Sequence, residues 1–171
     1  MIIRISILLL ATCLSLMALE YEISETELQQ YIVKHFPITK PVLMSTVTLS
    51  EPQISIVRES DRLLFMCNMY SAQLVGANNE PVTFRIHATS DIKYREGAVY
   101  LDKVDILQVE GLTMKENIKS MVLLLATSAL RQHFRKKPVF ALEKLGAKGS
   151  VAKVLIGDIV IKDGVIHVIL G

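Results

Sequence analysis

Between Val42 and Glu110 apolar and polar residues follow a period of two, and turn-forming clusters at Glu59-Ser60-Asp61, Gly76-Ala77-Asn78-Asn79 and Arg95-Glu96-Gly97 cut the stretch into long segments. That pattern predicts an antiparallel meander of about four strands. The third segment is the clearest. Val82, Phe84, Ile86, Ala88, Ile92 and Tyr94 alternate with Thr83, Arg85, His87, Thr89, Asp91 and Lys93, which gives one dry and one wet face. In the second segment Leu63, Phe65, Cys67 and Met69 point one way while Leu64, Met66, Tyr70 and Leu74 point the other. Cover on both faces is expected there. At roughly 12 to 15 residues these strands exceed the usual five or six, and strands so long twist and coil.

Two helices flank the strand region. Ser24-Glu25-Thr26-Glu27 is a capping box: the serine hydroxyl accepts from the third helical N–H, and the glutamate reaches back. Leu28, Ile32 and Tyr31 give this helix an apolar stripe, and Phe36-Pro37 with Pro41 ends it. A longer helix is predicted from about Met114 to Lys136, closed by Pro138. Its middle, Met121-Val122-Leu123-Leu124-Leu125-Ala126, is apolar over more than a turn and so predicts burial on every side. The expected fold class is therefore α+β, a long, strongly curved antiparallel meander wrapped around a long apolar helix. Val151 to Ile156 suggests a short helix, and Gly157–Ile161, Asp163-Gly164 and Val165–Leu170 predict a closing hairpin on an Asp-Gly turn.

The first residues carry a different signal. Arg4 precedes an apolar run from Ile5 to Leu19, too short for an ordinary span of about 20 residues and matching a secretory leader. The expected organisation is a signal segment over 1–19 and a single domain over 20–171, exported to a bacterial periplasm. Leu10-Ala11-Thr12-Cys13 has the form of a lipoprotein processing site, with Thr12 where a smaller residue is usual. Lipidation of Cys13 and soluble release after Ser15 or Ala18 both remain open. With 19 basic and 17 acidic residues the net charge is +2, which does not suggest a nucleic-acid partner.

Little in the chain announces catalysis. Cys67, among Phe65, Met66 and Met69, reads as a buried apolar residue. His35, His87, His133 and His167 lack metal-ligand spacing, so no metal and no cofactor are expected. His87 and His167 read as solvent-face or edge residues, and His133 as a cation complementing a helix end. Asp102 and Asp105, three apart in an extended segment, should face opposite ways. Gly146-Ala147-Lys148-Gly149-Ser150 lacks phosphate-loop spacing, and there is no Gly-x-Ser-x-Gly elbow. Arg131, Arg135, Lys136 and Lys137 form a basic cluster, read as helix-end cations with anionic lipid headgroups as the alternative. Met44, Met66, Met69, Met114 and Met121 serve either as core filler or as lining of an adaptable pocket.

The expected activity is non-catalytic binding of a lipid or other apolar ligand. Its wall is assigned to Phe65, Val82, Phe84, Ile86, Ala88, Ile118, Met121, Val122 and Leu125. An envelope interaction protein with a filled core is the alternative.

Tyr21-Glu22-Ile23-Ser24-Glu25-Thr26-Glu27-Leu28, Ala129-Leu130-Arg131-Gln132-His133-Phe134 before Pro138-Val139-Phe140-Ala141-Leu142, and the closing Asp163-Gly164-Val165-Ile166 together resemble the YceB-like bacterial lipoproteins. The resemblance implies a fold similar to the tubular lipid-binding (TULIP) superfamily, in which a curved sheet wraps a long helix around an apolar interior. It also implies a lipidated cysteine at Cys13. It assigns no catalytic residue.

Overall fold

A computed structural model describes residues 20–43, 45–58, 60–75, 81–111, 116–145 and 156–170. The 1–19 segment with Cys13, the Gly76–Asn79 turn, Met44, Met114, the Gly146–Ser150 loop and residues 151–155 of the expected short helix lie outside them. Ile156, its last residue, opens a strand instead.

Strand β1 (Glu20–Ile23) leads into helix α1 (Glu25–Val33). Ser24 caps α1 reciprocally: its Oγ accepts from Glu27 N–H at 3.3 Å, and Glu27 Oε2 accepts from Ser24 N–H at 2.9 Å. Leu28 and Ile32, one turn apart, are the buried residues of α1. There follow β2 (Ile38–Val42), β3 (Ser45–Val57), β4 (Arg62–Val75), β5 (Pro81–Arg95) and β6 (Ala98–Glu110). Helix α2 (Glu116–Phe134), the two-residue β7 (Phe140–Ala141), a 3₁₀ turn (Leu142–Leu145) and the hairpin β8 (Ile156–Lys162) and β9 (Val165–Leu170) complete the order.

The strands make two antiparallel sheets, one ordered β2-β3-β4-β5-β6-β7 and one ordered β1-β9-β8. The β8–β9 turn has both Asp163 (φ 53°) and Gly164 (φ 79°) in left-handed geometry, as a two-residue hairpin demands. Pairing of β1 with β9 joins the first described strand to the last.

Inward positions of β3 to β5 alternate as the sequence pattern requires, with Leu49, Ile54, Leu63, Phe65, Cys67, Met69, Phe84, Ile86 and Ala88 all buried. The outer face is polar, so β4 is covered on one face only. Leu64 and Met66 are half-buried and Tyr70 is exposed, while Leu74, beyond a register irregularity, is buried.

Bulges break the alternation. Glu51 (φ 49°) and Pro52 stand opposite Cys67, Lys103 (φ 47°) and Val104 stand opposite Ser90, and Leu107 is inserted between Ile106 and Gln108. Each bends its strand and increases its twist. Ser90, fully buried among apolar neighbours, shares its hydroxyl between the carbonyls of Asp91 (2.8 Å) and Asp102 (2.6 Å), satisfying the carbonyl at the second bulge.

Strand β2 covers β3 only between Ser45 and Leu49, leaving the edge beyond it without a strand partner. Side chains of α1 take that place. Gln29 donates to Pro52 O at 2.8 Å and accepts from Ile54 N–H at 2.9 Å, and Glu25 accepts from Ile56 N–H at 2.9 Å. An edge that would otherwise invite another strand is thereby closed.

The architecture corrects the expected fold class. Strands account for most of the described residues, the sheets are open, and the α-helices described are short, at 9 and 19 residues. No sheet wraps a central helix, so the TULIP-like arrangement is not the observed one. The reason lies in α2. Val122, Leu125, Ala126, Ala129, Leu130, His133 and Phe134 are buried, whereas Met121 and Leu124 are 46% and 54% exposed. Spacing at i, i+3, i+4 and i+7 marks a helix with one apolar stripe. The greasy run straddles that stripe instead of encircling the helix.

Candidate functional site

The apolar layer lies between α2 and the inner face of the large sheet. Helix α2 packs chiefly along β6: Arg131 reaches Val104 O with Nε and Nη2, both at 3.3 Å, and Arg95 of β5 donates to Arg135 O at 3.2 Å. The helix C-terminus therefore sits over the β5–β6 turn. Ala126 and Ala129 occupy the buried stripe without bulk.

Of the expected wall residues, Phe65, Phe84, Ile86, Ala88, Val122 and Leu125 are buried in one continuous cluster. Val82 and Ile118 are half-buried at its margin, and Met121 points outward. Two more residues join that margin, Ile106 and Val109 of β6. Sequence alternation passed over them because the bulges at Lys103 and Leu107 shift the inward register twice.

The layer is sealed unevenly. Toward the C-terminal end of α2, Phe134 meets Phe65 edge-on at 5.0 Å between ring centroids, and Phe36 lies 6.1 Å from Phe65 and 6.0 Å from His133. Toward the N-terminal end, inward-directed Val82, Ile106, Val109 and Ile118 all keep partial solvent contact. Gly111 passes so close to Phe84 that an added Cβ would lie 2.9 Å from its Cδ1. Leu107 on β6 is 61% exposed, and Met121 and Leu124 are exposed on the helix that packs along that strand.

Titratable groups lie elsewhere and differ from expectation in three places. His167 is buried, not at a solvent face, and β9 is the central strand of its sheet, not an edge. His133 is buried, not a cation at the helix end. Burial, with Lys40, His35 and Lys137 adding positive potential, pushes its pKa down to about 4, so it is neutral near pH 7. Asp102 and Asp105 share the outer face, since the bulge at Lys103 inserts one residue between them and pairs them with Asp91 and Thr89. Arg62 contacts Asp91 at 3.0 Å and Asp105 at 2.8 Å, and Lys103 contacts Asp91 at 3.2 Å. This is an ion-paired surface network with no free acid and base facing each other.

His87 is half-buried on the same face with Nε2 3.1 Å from Glu110. Cys67 is fully buried, and desolvation pushes its thiol up to about 12, so thiolate chemistry is suppressed. Glu27 loses solvation in its half-buried position, yet hydrogen bonds from Ser24 and Tyr21 hold its carboxyl below the ordinary value. Burial and that same contact push Tyr21 up to about 12. Among the described residues no three His, Cys, Asp or Glu side chains gather as a metal site, and no helix is long and apolar enough to cross a membrane.

A shallow groove of about 340 Å³ runs between α1 and the outer face of β3 and β4, lined mainly by polar side chains such as Gln29, Gln30, Gln53 and Ser55. Gln29 is committed to the strand edge and Gln53 accepts from Arg85 at 2.7 Å. The apolar layer, not this groove, matches the residues singled out by pattern.

The sequence model of one protein family, described as Protein of unknown function (DUF1439), matches residues 23–165 of the chain. Comparison with curated proteins gives no match.

Proposed function

The chain belongs to this DUF1439 family, and on that premise we propose that it binds a lipid or other apolar ligand at the N-terminal end of the α2–sheet layer, without catalysis. One observation carries the reading: Val82, Ile106, Val109 and Ile118 point into the core yet stay partly exposed, whereas the opposite end of the same layer is closed by aromatic contacts. An acyl chain covering them would gain about 0.8 kcal/mol per buried methylene with little need for polar recognition. The leader-like segment over 1–19 supports export to the periplasm, and the resemblance to YceB-like lipoproteins supports tethering through Cys13, with soluble release as the other outcome.

Native mass spectrometry of protein purified from the cell envelope, followed by lipid extraction, tests the reading. A bound apolar species that is lost in Ile118→Trp, with the circular dichroism spectrum retained, is the expected result. Repeated absence of any bound species in the folded wild type refutes it.

A second reading, an envelope interaction protein with a filled core, draws on the exposure of Leu107, Met121 and Leu124 on adjoining elements. In-cell crosslinking at Leu124 that captures one stable protein partner, from protein carrying no lipid, favours it.

A further inference from the structure

Cations from three segments converge where α2 ends. The potentials of Lys40 on β2 and of Lys137 after α2 act on the buried His133, and Arg95 of β5 reaches the carbonyl of Arg135. Lys136 adds another exposed ammonium. Lys40 is half-buried and the others are exposed. Among the described residues none of Lys40, Arg135, Lys136 and Lys137 has an ion-pair partner, and Arg95 lies over the Tyr100 ring at 4.2 Å, whereas Arg62, Arg85 and Lys103 on the outer sheet face each have a carboxylate within 4.0 Å.

Compensation of the helix end does not account for them. The Arg131 carbonyl accepts from Arg135 N–H (3.1 Å), the His133 carbonyl from Lys136 and Lys137 N–H (3.1 and 3.0 Å), and the Arg135 carbonyl from Arg95. The ammonium groups are left facing water. In a chain of net charge +2 this is a local concentration of charge.

A second feature lies on the same hairpin as Lys40. Leu43, at the tip of the β2–β3 hairpin three residues beyond Lys40, is 73% exposed and has φ 55°. Left-handed backbone disfavours leucine, and water disfavours its side chain. Neither local geometry nor the core explains an apolar residue there.

We propose that this end of the molecule docks on an anionic bilayer surface, with Lys40, Arg135, Lys136 and Lys137 over the headgroups and Leu43 entering the acyl boundary. Cations near such a surface each contribute attraction that salt screens, and a single apolar side chain adds a shallow anchor. The surface stands apart from the apolar-ligand site and does not depend on it.

Cosedimentation of the full chain with mixed phosphatidylcholine and phosphatidylglycerol vesicles, against pure phosphatidylcholine vesicles, tests the proposal. Any contribution of the first nineteen residues is common to all variants. Lys136→Gln/Lys137→Gln should lower partitioning onto the anionic vesicles by about 25-fold, at about fivefold per cation. The charge-matched Lys103→Gln/Lys162→Gln should leave it nearly unchanged, and Leu43→Asn should lower it while the protein stays folded. Equal binding to both vesicle types overturns the proposal, as does an equal loss in the two double variants. Displacement by inorganic phosphate but not by chloride at matched ionic strength also overturns it, because the cluster would then be a site for a free anion.

Discussion

Acid should weaken this fold through His133, by an amount the structure fixes. The imidazole is buried beside Phe36 and Phe134, 6.0 and 5.0 Å between ring centroids, with Lys40, His35 and Lys137 around it. Burial first, and those cations second, lower its pKa from 6.5 to about 4. In that interval the unfolded chain takes up a proton that the folded chain refuses. The contribution to stability is therefore whole above the unfolded value and is lost as pH falls toward the folded one. At about 1.4 kcal/mol per pH unit the full loss is about 3 kcal/mol, of which about 2 kcal/mol falls between about pH 7 and about pH 4.5. Urea unfolding of the wild type and of His133→Phe across that range measures it. The phenylalanine keeps an aromatic ring in the pocket and removes the titration, so the difference between the two proteins should grow by about 2 kcal/mol in favour of the variant as pH falls. Glu27, whose depressed carboxyl also costs stability in acid, is common to both and cancels. Parallel loss of stability in the two proteins refutes the assignment of a neutral, buried His133.

Gln29→Ala removes both hydrogen bonds that close the β3 edge and should cost about 2 kcal/mol, with faster hydrogen exchange at Ile54 and an increased tendency to aggregate. Leu43→Asn places a residue that tolerates left-handed backbone at φ 55° and should raise stability by up to about 1 kcal/mol in urea unfolding, even as vesicle binding falls. Gly111→Ala brings a methyl to 2.9 Å from the Phe84 ring, which is 2% exposed and has little room to retreat; thermal unfolding should show a loss of about 1 to 3 kcal/mol.

Legibility in the sequence follows the range of the interaction. The Ser24–Glu27 box and the Asp163-Gly164 turn each depend on residues within a few positions, and both were readable directly. The alternation of β5 from Phe84 to Ala88 was equally plain, because a pleat repeats every second residue. Beyond Ala88 the inward position falls to Ser90, whose hydroxyl is shared between the carbonyl of the next residue and one twelve residues away on the next strand. The apolar-ligand layer was legible in its buried members and not in its margin, where Ile106 and Val109 owe their direction to bulges that appear only when partner strands are counted against each other.

Helix α2 divides the two kinds of information most clearly. Its existence, its end before Pro138 and its apolar middle were set by local composition, and the stripe Val122, Leu125, Ala126, Ala129, Leu130, Phe134 was present in the spacing. Which side met a sheet, and that Met121 and Leu124 would be left to water, was decided by packing along β6. The same holds for His133, a helix-end cation by position and a neutral core residue once Phe36 and Lys40 close over it, and for the pairing of β1 with β9. The sequence by itself determined caps, turns and strand alternation, since these are settled within a turn or a pleat. Tertiary structure alone decided sheet count, bulge register, burial of His133 and His167 and the gathering of cations from separate strands beside the end of α2, since each requires segments distant in the chain to share one neighbourhood.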